Sequence, residues 1–144
     1  MLKDMRRLLG HKFIAVIAVL YTIALTLGSL IRPVKIVDVP VTYLDKLLHA
    51  GAYFGLTLLW ILWKYTKNKH EAKVVTQKTI LTMLIVVAIC AIVYGIVIEL
   101  LQGTITNYRT PDGWDVLANT TGSVLALLTC LLYINKSKML KSKF

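Results

Sequence analysis

The chain has few of the residues that usually carry soluble enzyme chemistry. Its 144 residues include two cysteines, three prolines and seven acids. Cys90 and Cys130 both sit in apolar runs, where a free thiol behaves as a small hydrophobe. Their expected depths differ by about 9 Å at 1.5 Å of helix rise per residue, which argues against a disulfide. Neither cysteine has metal-ligand spacing, and no H-E-x-x-H type pattern occurs, so no metal and no cofactor is expected. No serine or cysteine nucleophile motif stands out, and there is no internal repeat. Pro33, Pro40 and Pro111 all lie between the long apolar stretches and leave them free to form unbroken helices. The shortage of acids leaves a net charge of +10. That charge lies in short segments between apolar stretches, with no recognition motif, which argues against a nucleic-acid partner.

Apolar residues make up 57% of the chain, against roughly 45–50% in soluble domains, and the mean hydropathy is +0.69. Four stretches approach the length of about 20 residues that crosses a bilayer: about 13–31, 44–63, 79–101 and 114–134. The fold expected is all-α, a single domain of four transmembrane helices over residues 1–144. The first stretch reads as a retained span. Its apolar core is longer than the roughly 7–15 residues of a signal peptide, and no A-x-A site follows it.

Basic residues crowd the amino terminus (Lys3, Arg6, Arg7, Lys12), the second connection and the carboxyl tail (Lys136, Lys138, Lys141, Lys143). The tail reads as a solvated anchor near anionic lipid. The first and third connections hold little positive charge. Lysine and arginine excess marks the cytoplasmic side, so both termini are expected in the cytoplasm, in the plasma membrane. Trp60, Trp63 and Trp114 suit the interfacial belt.

Ionisable groups at the ends of such segments are costly, and they tend to face a bundle interior or mark a working site. Here they converge. The expected topology puts the first turns of helix 2, the last turn of helix 3 and the start of helix 4 at the same, outer end. Asp45 and His49 share a helix face, as do Glu99 and Gln102, and Asp115 and Asn119. Small residues continue each polar stripe: Gly51 and Gly55 in helix 2, Ala91 and Gly95 in helix 3, Gly122, Ser123 and Ala126 in helix 4. Such residues let helices approach closely in lipid, so helices 2, 3 and 4 are expected to pack on these faces, with helix 1 flanking them.

Each residue also has a plainer reading. Asp45 and Asp115 could cap helices, and Lys46 could snorkel to the interface. His49 could be an interhelical hydrogen-bonder or a proton-transfer group. Glu99 could pair with Arg109, which could equally clamp an anionic headgroup. Asp112, in Pro111-Asp112-Gly113, carries a turn signal, and Asn119 suits a bond across helices. Asn119-Thr120-Thr121 matches a glycosylation sequon at a helix start, where use is not expected.

Three runs resemble the motifs of the VanZ-like membrane protein family. Asp45-Lys46-x-x-His49-x-x-x-Tyr53 is similar to its first motif and Tyr94-Gly95-x-x-x-Glu99-x-x-Gln102 to its second. Arg109, Asp112, Asp115, Asn119 and Gly122 follow its third. The resemblance implies a small bacterial integral membrane protein; the family is named for a member linked to low-level resistance to the lipidated glycopeptide teicoplanin. The polar end then has two functional readings. In the first, it acts on a lipid-linked or cell-envelope molecule. Asp45, His49, Glu99 and Asp115 would be the candidate acid–base groups, and Lys46, Tyr53, Gln102, Arg109, Asp112 and Asn119 the candidate substrate contacts. In the second, the site binds a membrane lipid, an envelope precursor or a lipoglycopeptide without chemistry. A third reading makes the cluster interhelical packing alone. Neither an enzymatic reaction nor an oligomeric state follows from the sequence.

Overall fold

The computed structural model describes residues 2–31, 42–71, 76–105 and 112–141. Four α-helices fill them: α1 (Leu2–Leu30), α2 (Thr42–His70), α3 (Gln77–Ile105) and α4 (Gly113–Lys141). All four contain a segment long and apolar enough to cross a membrane, and no strand occurs among the described residues. Each helix has 29 residues, about 43 Å of helix against a hydrocarbon core of about 30 Å. The apolar stretches therefore mark only the middles of longer helices. The basic start of α1 and the Lys67–His70 end of α2 continue in helical form past the apolar boundary. Thr76 caps α3, its Oγ1 accepting the Thr79 amide at 3.1 Å.

The bundle inverts the usual distribution of polarity. Valines, leucines and isoleucines such as Leu20, Ile89 and Leu132 lie on the outside, more than half exposed. The buried set includes Thr57, Glu99, Gln102, Asp115, Asn119 and Ser123. In water this surface would drive aggregation; lipid solvates it and leaves polar contacts and close packing to hold the helices. Two apolar clusters fill the middle. Tyr53, Leu56 and Ala91 pack with Tyr21, Leu25 and Trp60. Ile61, Met83 and Leu84 pack with Leu127, Cys130 and Leu131.

The α2–α4 interface is the most extensive, and α1 contacts α2 and α3. Among the glycines of the described residues, Gly122 of α4 lies nearest a neighbouring backbone, that of Ala50 in α2. A Cβ at 122 would lie 2.8 Å from the Ala50 carbonyl carbon and 3.0 Å from its Cα. Gly55 instead meets the end of the Tyr21 side chain, and Gly51 has open space where a Cβ would go. The G-x-x-x-G pair of α2 is thus not a close helix contact at both positions. Gly51→Ala should leave stability unchanged or raise it by up to about 1 kcal/mol through helix propensity, measured as thermal unfolding in detergent.

Helix 1 does more than flank. The Tyr21 hydroxyl donates to the Ala52 carbonyl at 3.0 Å. Thr26 and Tyr94 share a 2.6 Å hydroxyl bond, and the Trp60 indole donates to Thr22 Oγ1 at 3.1 Å. Trp60 therefore belongs to the α1–α2 contact. Trp63 and Trp114 are placed differently: Trp63 lies beside the Lys64 and Lys67 ammonium groups, and Trp114 is 70% exposed at the start of α4.

Candidate functional site at the polar end of the bundle

The start of α2, the end of α3 and the start of α4 meet at one end, and Lys46 is its centre. Its ammonium donates to Asp112 and to Asp115 Oδ1, and lies 3.9 Å from Asp45 Oδ2. The side chain is one-quarter exposed. Lys46 does not snorkel, because two carboxylates from the start of α4 hold its charge within the bundle.

The two aspartates of α4 divide the work expected of one. Asp112 precedes the helix, and its Oδ1 accepts the Trp114 amide at 2.8 Å, so Asp112 is the cap. Asp115 lies one turn in, is 6% exposed, and serves the cluster. Asp45 likewise sits within the first turn of α2 and is not its cap. Asp112 lies outside the membrane-spanning segment. The hydrogen bond from Lys46, and then that from the Trp114 amide, hold its carboxyl below the ordinary aspartate value of 3.8. A depressed folded value means that its stabilisation is complete above 3.8 and is lost as pH falls through the lowered value. The melting-temperature difference between wild type and Asp112→Asn should hold steady near neutrality and vanish in acid. A gap that persists at the lowest pH would acquit the Lys46 contact.

His49, one helical turn beyond Asp45, bridges α2 and α4. Its Nδ1 lies 3.2 Å from Asn119 Oδ1, the interhelical bond expected of Asn119. Because that amide oxygen only accepts, Nδ1 carries the proton. Nε2 points the other way, 3.8 Å from Asp45 Oδ1 and 3.7 Å from Asp115 Oδ2.

The α3 residues secure the cluster from behind. Glu99, 3% exposed, accepts the Asp112 amide at 3.0 Å and so ties the end of α3 to the start of α4. Gln102 donates to the Ser29 carbonyl of α1 at 2.8 Å. The Tyr53 hydroxyl is buried with no hydrogen-bond partner among the described residues, and its ring lies over Gly95. Arg109 lies outside the described residues, and with it the expected Arg109–Glu99 pair.

A cavity of 280 Å³ opens between α1 and α2 beside the cluster. Asp45, His49 and Ser29 give it a polar end, and Leu25, Leu48 and Ala52 an apolar wall. Tyr53 and Gly28 complete the lining. The α1 residues were missed from sequence because an uncharged leucine, glycine and serine on an apolar helix give no polar signal.

The family profile described as VanZ/LLP1 matches residues 5–134. The chain belongs to the VanZ/LLP1 family. The four apolar helices fit that membership, and the protein is a VanZ-like, multi-pass membrane protein. An uncharacterised protein of the fission yeast Schizosaccharomyces pombe, C11E3.10, is 37% identical to it over 94 residues. The match covers 65% of this chain and 51% of the yeast protein, so the chain spans about half the length of that relative. No solved structure matches.

Proposed function

We propose that this VanZ-like protein holds a lipid-linked molecule at the outer face of the plasma membrane, with both of its own termini in the cytoplasm. The cleft between α1 and α2 carries the reading: a polar end at Asp45, His49 and Ser29 continues into an apolar wall of Leu25, Leu48 and Ala52. An amphiphile fits such a lining, its headgroup at His49 and its chain along the leucines. The sidedness rests on charge, since lysine and arginine gather at the opposite end, in Lys64, Lys67 and Lys69 of α2 and in the tail. His49, flanked by Asp45 and Asp115, is the candidate proton-transfer group should chemistry accompany binding, with Glu99 behind it. Lys46, Tyr53, Gln102, Asp112 and Asn119 shape the headgroup end, and Arg109 is the candidate anion clamp.

The ligand is a membrane lipid or a lipid-linked envelope precursor. A relative in a fission yeast favours a headgroup that is not peculiar to bacteria. A lipoglycopeptide such as teicoplanin is also an amphiphile, and the same site is the candidate for a contribution to teicoplanin resistance. The second reading, interhelical packing alone, has its own support: Lys46 with Asp112 and Asp115, and His49 with Asn119, satisfy one another. Survival against teicoplanin and other lipid-targeting antibiotics separates the two. The comparison uses wild type, His49→Ala and Glu99→Gln at matched membrane levels. The site reading expects both variants to lose protection while remaining folded. Protection that follows protein level alone, or that neither variant changes, assigns the cluster to packing.

A further inference from the structure

We infer that Asp45, His49 and Asp115 form a site for a divalent transition metal of the Zn²⁺ class. The three residues come from two helices, 66 positions separating His49 from Asp115, so no sequence spacing announces the site. One ligand atom from each lies within 4.8 Å of the others.

The geometry around His49 carries the argument. Nδ1 faces Asn119 Oδ1 at 3.2 Å, so Nε2 is the ring nitrogen turned toward two carboxylates. Three ligand atoms then face one another across the α2–α4 interface. The gaps of 3.8 and 3.7 Å are too long for hydrogen bonds. They are close to what a metal imposes: bonds of about 2.0–2.2 Å at tetrahedral angles separate neighbouring ligand atoms by about 3.3–3.6 Å. A contraction of a few tenths of an ångström closes the difference at both His49 gaps.

The surroundings are those of an oriented ligand set. A metal-bound histidine donates its other N–H to a fixed acceptor, here the 2%-exposed Asn119. Asp115 is held by its far oxygen, Oδ1, on Lys46, and the far oxygen of Asp45, Oδ2, faces the same ammonium at 3.9 Å. Their near oxygens are left for the metal. Among the described residues, Asp45, Asp112 and Asp115 set three carboxylates against the one ammonium of Lys46, an excess that attracts a cation. Asp45 and His49 also line the cavity, so the coordination face not taken by protein opens toward it. An anionic oxygen entering the cavity would complete the shell. Imidazole with carboxylates suits zinc and its neighbours better than magnesium or calcium.

The site does not depend on the lipid reading, and its test uses metal alone. The full chain in detergent micelles, stripped with a chelator, is titrated with zinc chloride against a chromophoric competitor. One Zn²⁺ per chain is expected. Asp45→Asn, His49→Ala and Asp115→Asn should each weaken it by at least tenfold, and Lys46→Met by about 10–100-fold through loss of carboxylate orientation. Asp45 is 42% exposed, so Asp45→Asn keeps the test valid if the buried variants fail to fold. Cobalt in place of zinc should give visible d–d bands that disappear in His49→Ala. Failure of the wild type to bind zinc at micromolar concentration would overturn the site. Binding that survives Asp45→Asn and His49→Ala but falls with His11→Ala or His70→Ala, whose rings touch at the other end, would overturn it as well.

Discussion

Replacing Gly122 by alanine is expected to be the most damaging single methyl addition in the bundle. Overpacking a well-packed interior costs about 1–3 kcal/mol when side chains can yield. Here the obstacle is the Ala50 backbone, 2.8 Å from the new Cβ at its carbonyl carbon, so α2 and α4 must separate. The expected loss is at the upper end of that range or beyond. Separation would also part His49 from Asn119, and Lys46 from Asp115, because all four sit on the same two helices. Thermal or SDS unfolding of the detergent-purified variant measures the loss, and Gly51→Ala is the internal control. A Gly122→Ala protein as stable as wild type would mean that the α2–α4 approach is looser than described.

The second large effect concerns Asp115. Asp115→Ala leaves the Lys46 ammonium with Asp112 alone on α4 and removes one of the two carboxylates facing His49. Breaking one side of a fully buried pair costs about 3–5 kcal/mol. Lys46 is one-quarter exposed and keeps its Asp112 contact, so about 2–3 kcal/mol is the expected loss. The double variant Lys46→Met with Asp115→Leu should recover part of it, because the carboxylates left without Lys46, Asp112 and Asp45, are 39% and 42% exposed and keep their hydration. A double-mutant cycle in detergent checks this. If the two substitutions simply add, the pair is not coupled. Recovered stability without recovered antibiotic protection or zinc binding would show that the charges serve the site as well as the fold.

The sequence carried the four helices and the three helix ends that meet. Hydropathy reports which residues lipid solvates, and the order of spans brings those ends together. It could not place what depends on rotation or on distant partners. Gly51 and Gly122 are both glycines on small-residue stripes, and only the helix rotation decides which one meets a backbone. Lys46 resembles any lysine near a helix start. Its inward direction is set by Asp112 and Asp115, which lie in another helix region. The polar groups of α1 were invisible for a different reason. Tyr21, Thr22, Thr26 and the Ser29 carbonyl carry no charge, and they bond to α2 and α3 through atoms that hydropathy does not register. Asp45, His49 and Asp115 come within 4.8 Å of one another across two helices, a grouping no sequence spacing announces, and it leaves out Glu99. Glu99 is instead engaged with the Asp112 amide.

Native mass spectrometry of the detergent-purified chain tests the central claim, that the cleft beside His49 holds an amphiphile. Wild type is compared with Gly28→Trp and His49→Ala. Gly28 lines the cavity and has open space where a Cβ would go, so tryptophan there should narrow the cleft and leave the bundle folded. The account predicts that wild type retains a bound phospholipid, that Gly28→Trp sheds it at an unchanged melting temperature, and that His49→Ala holds it more weakly. A wild-type chain that releases all lipid, or three proteins that keep it equally, would contradict the account and leave the polar end as packing.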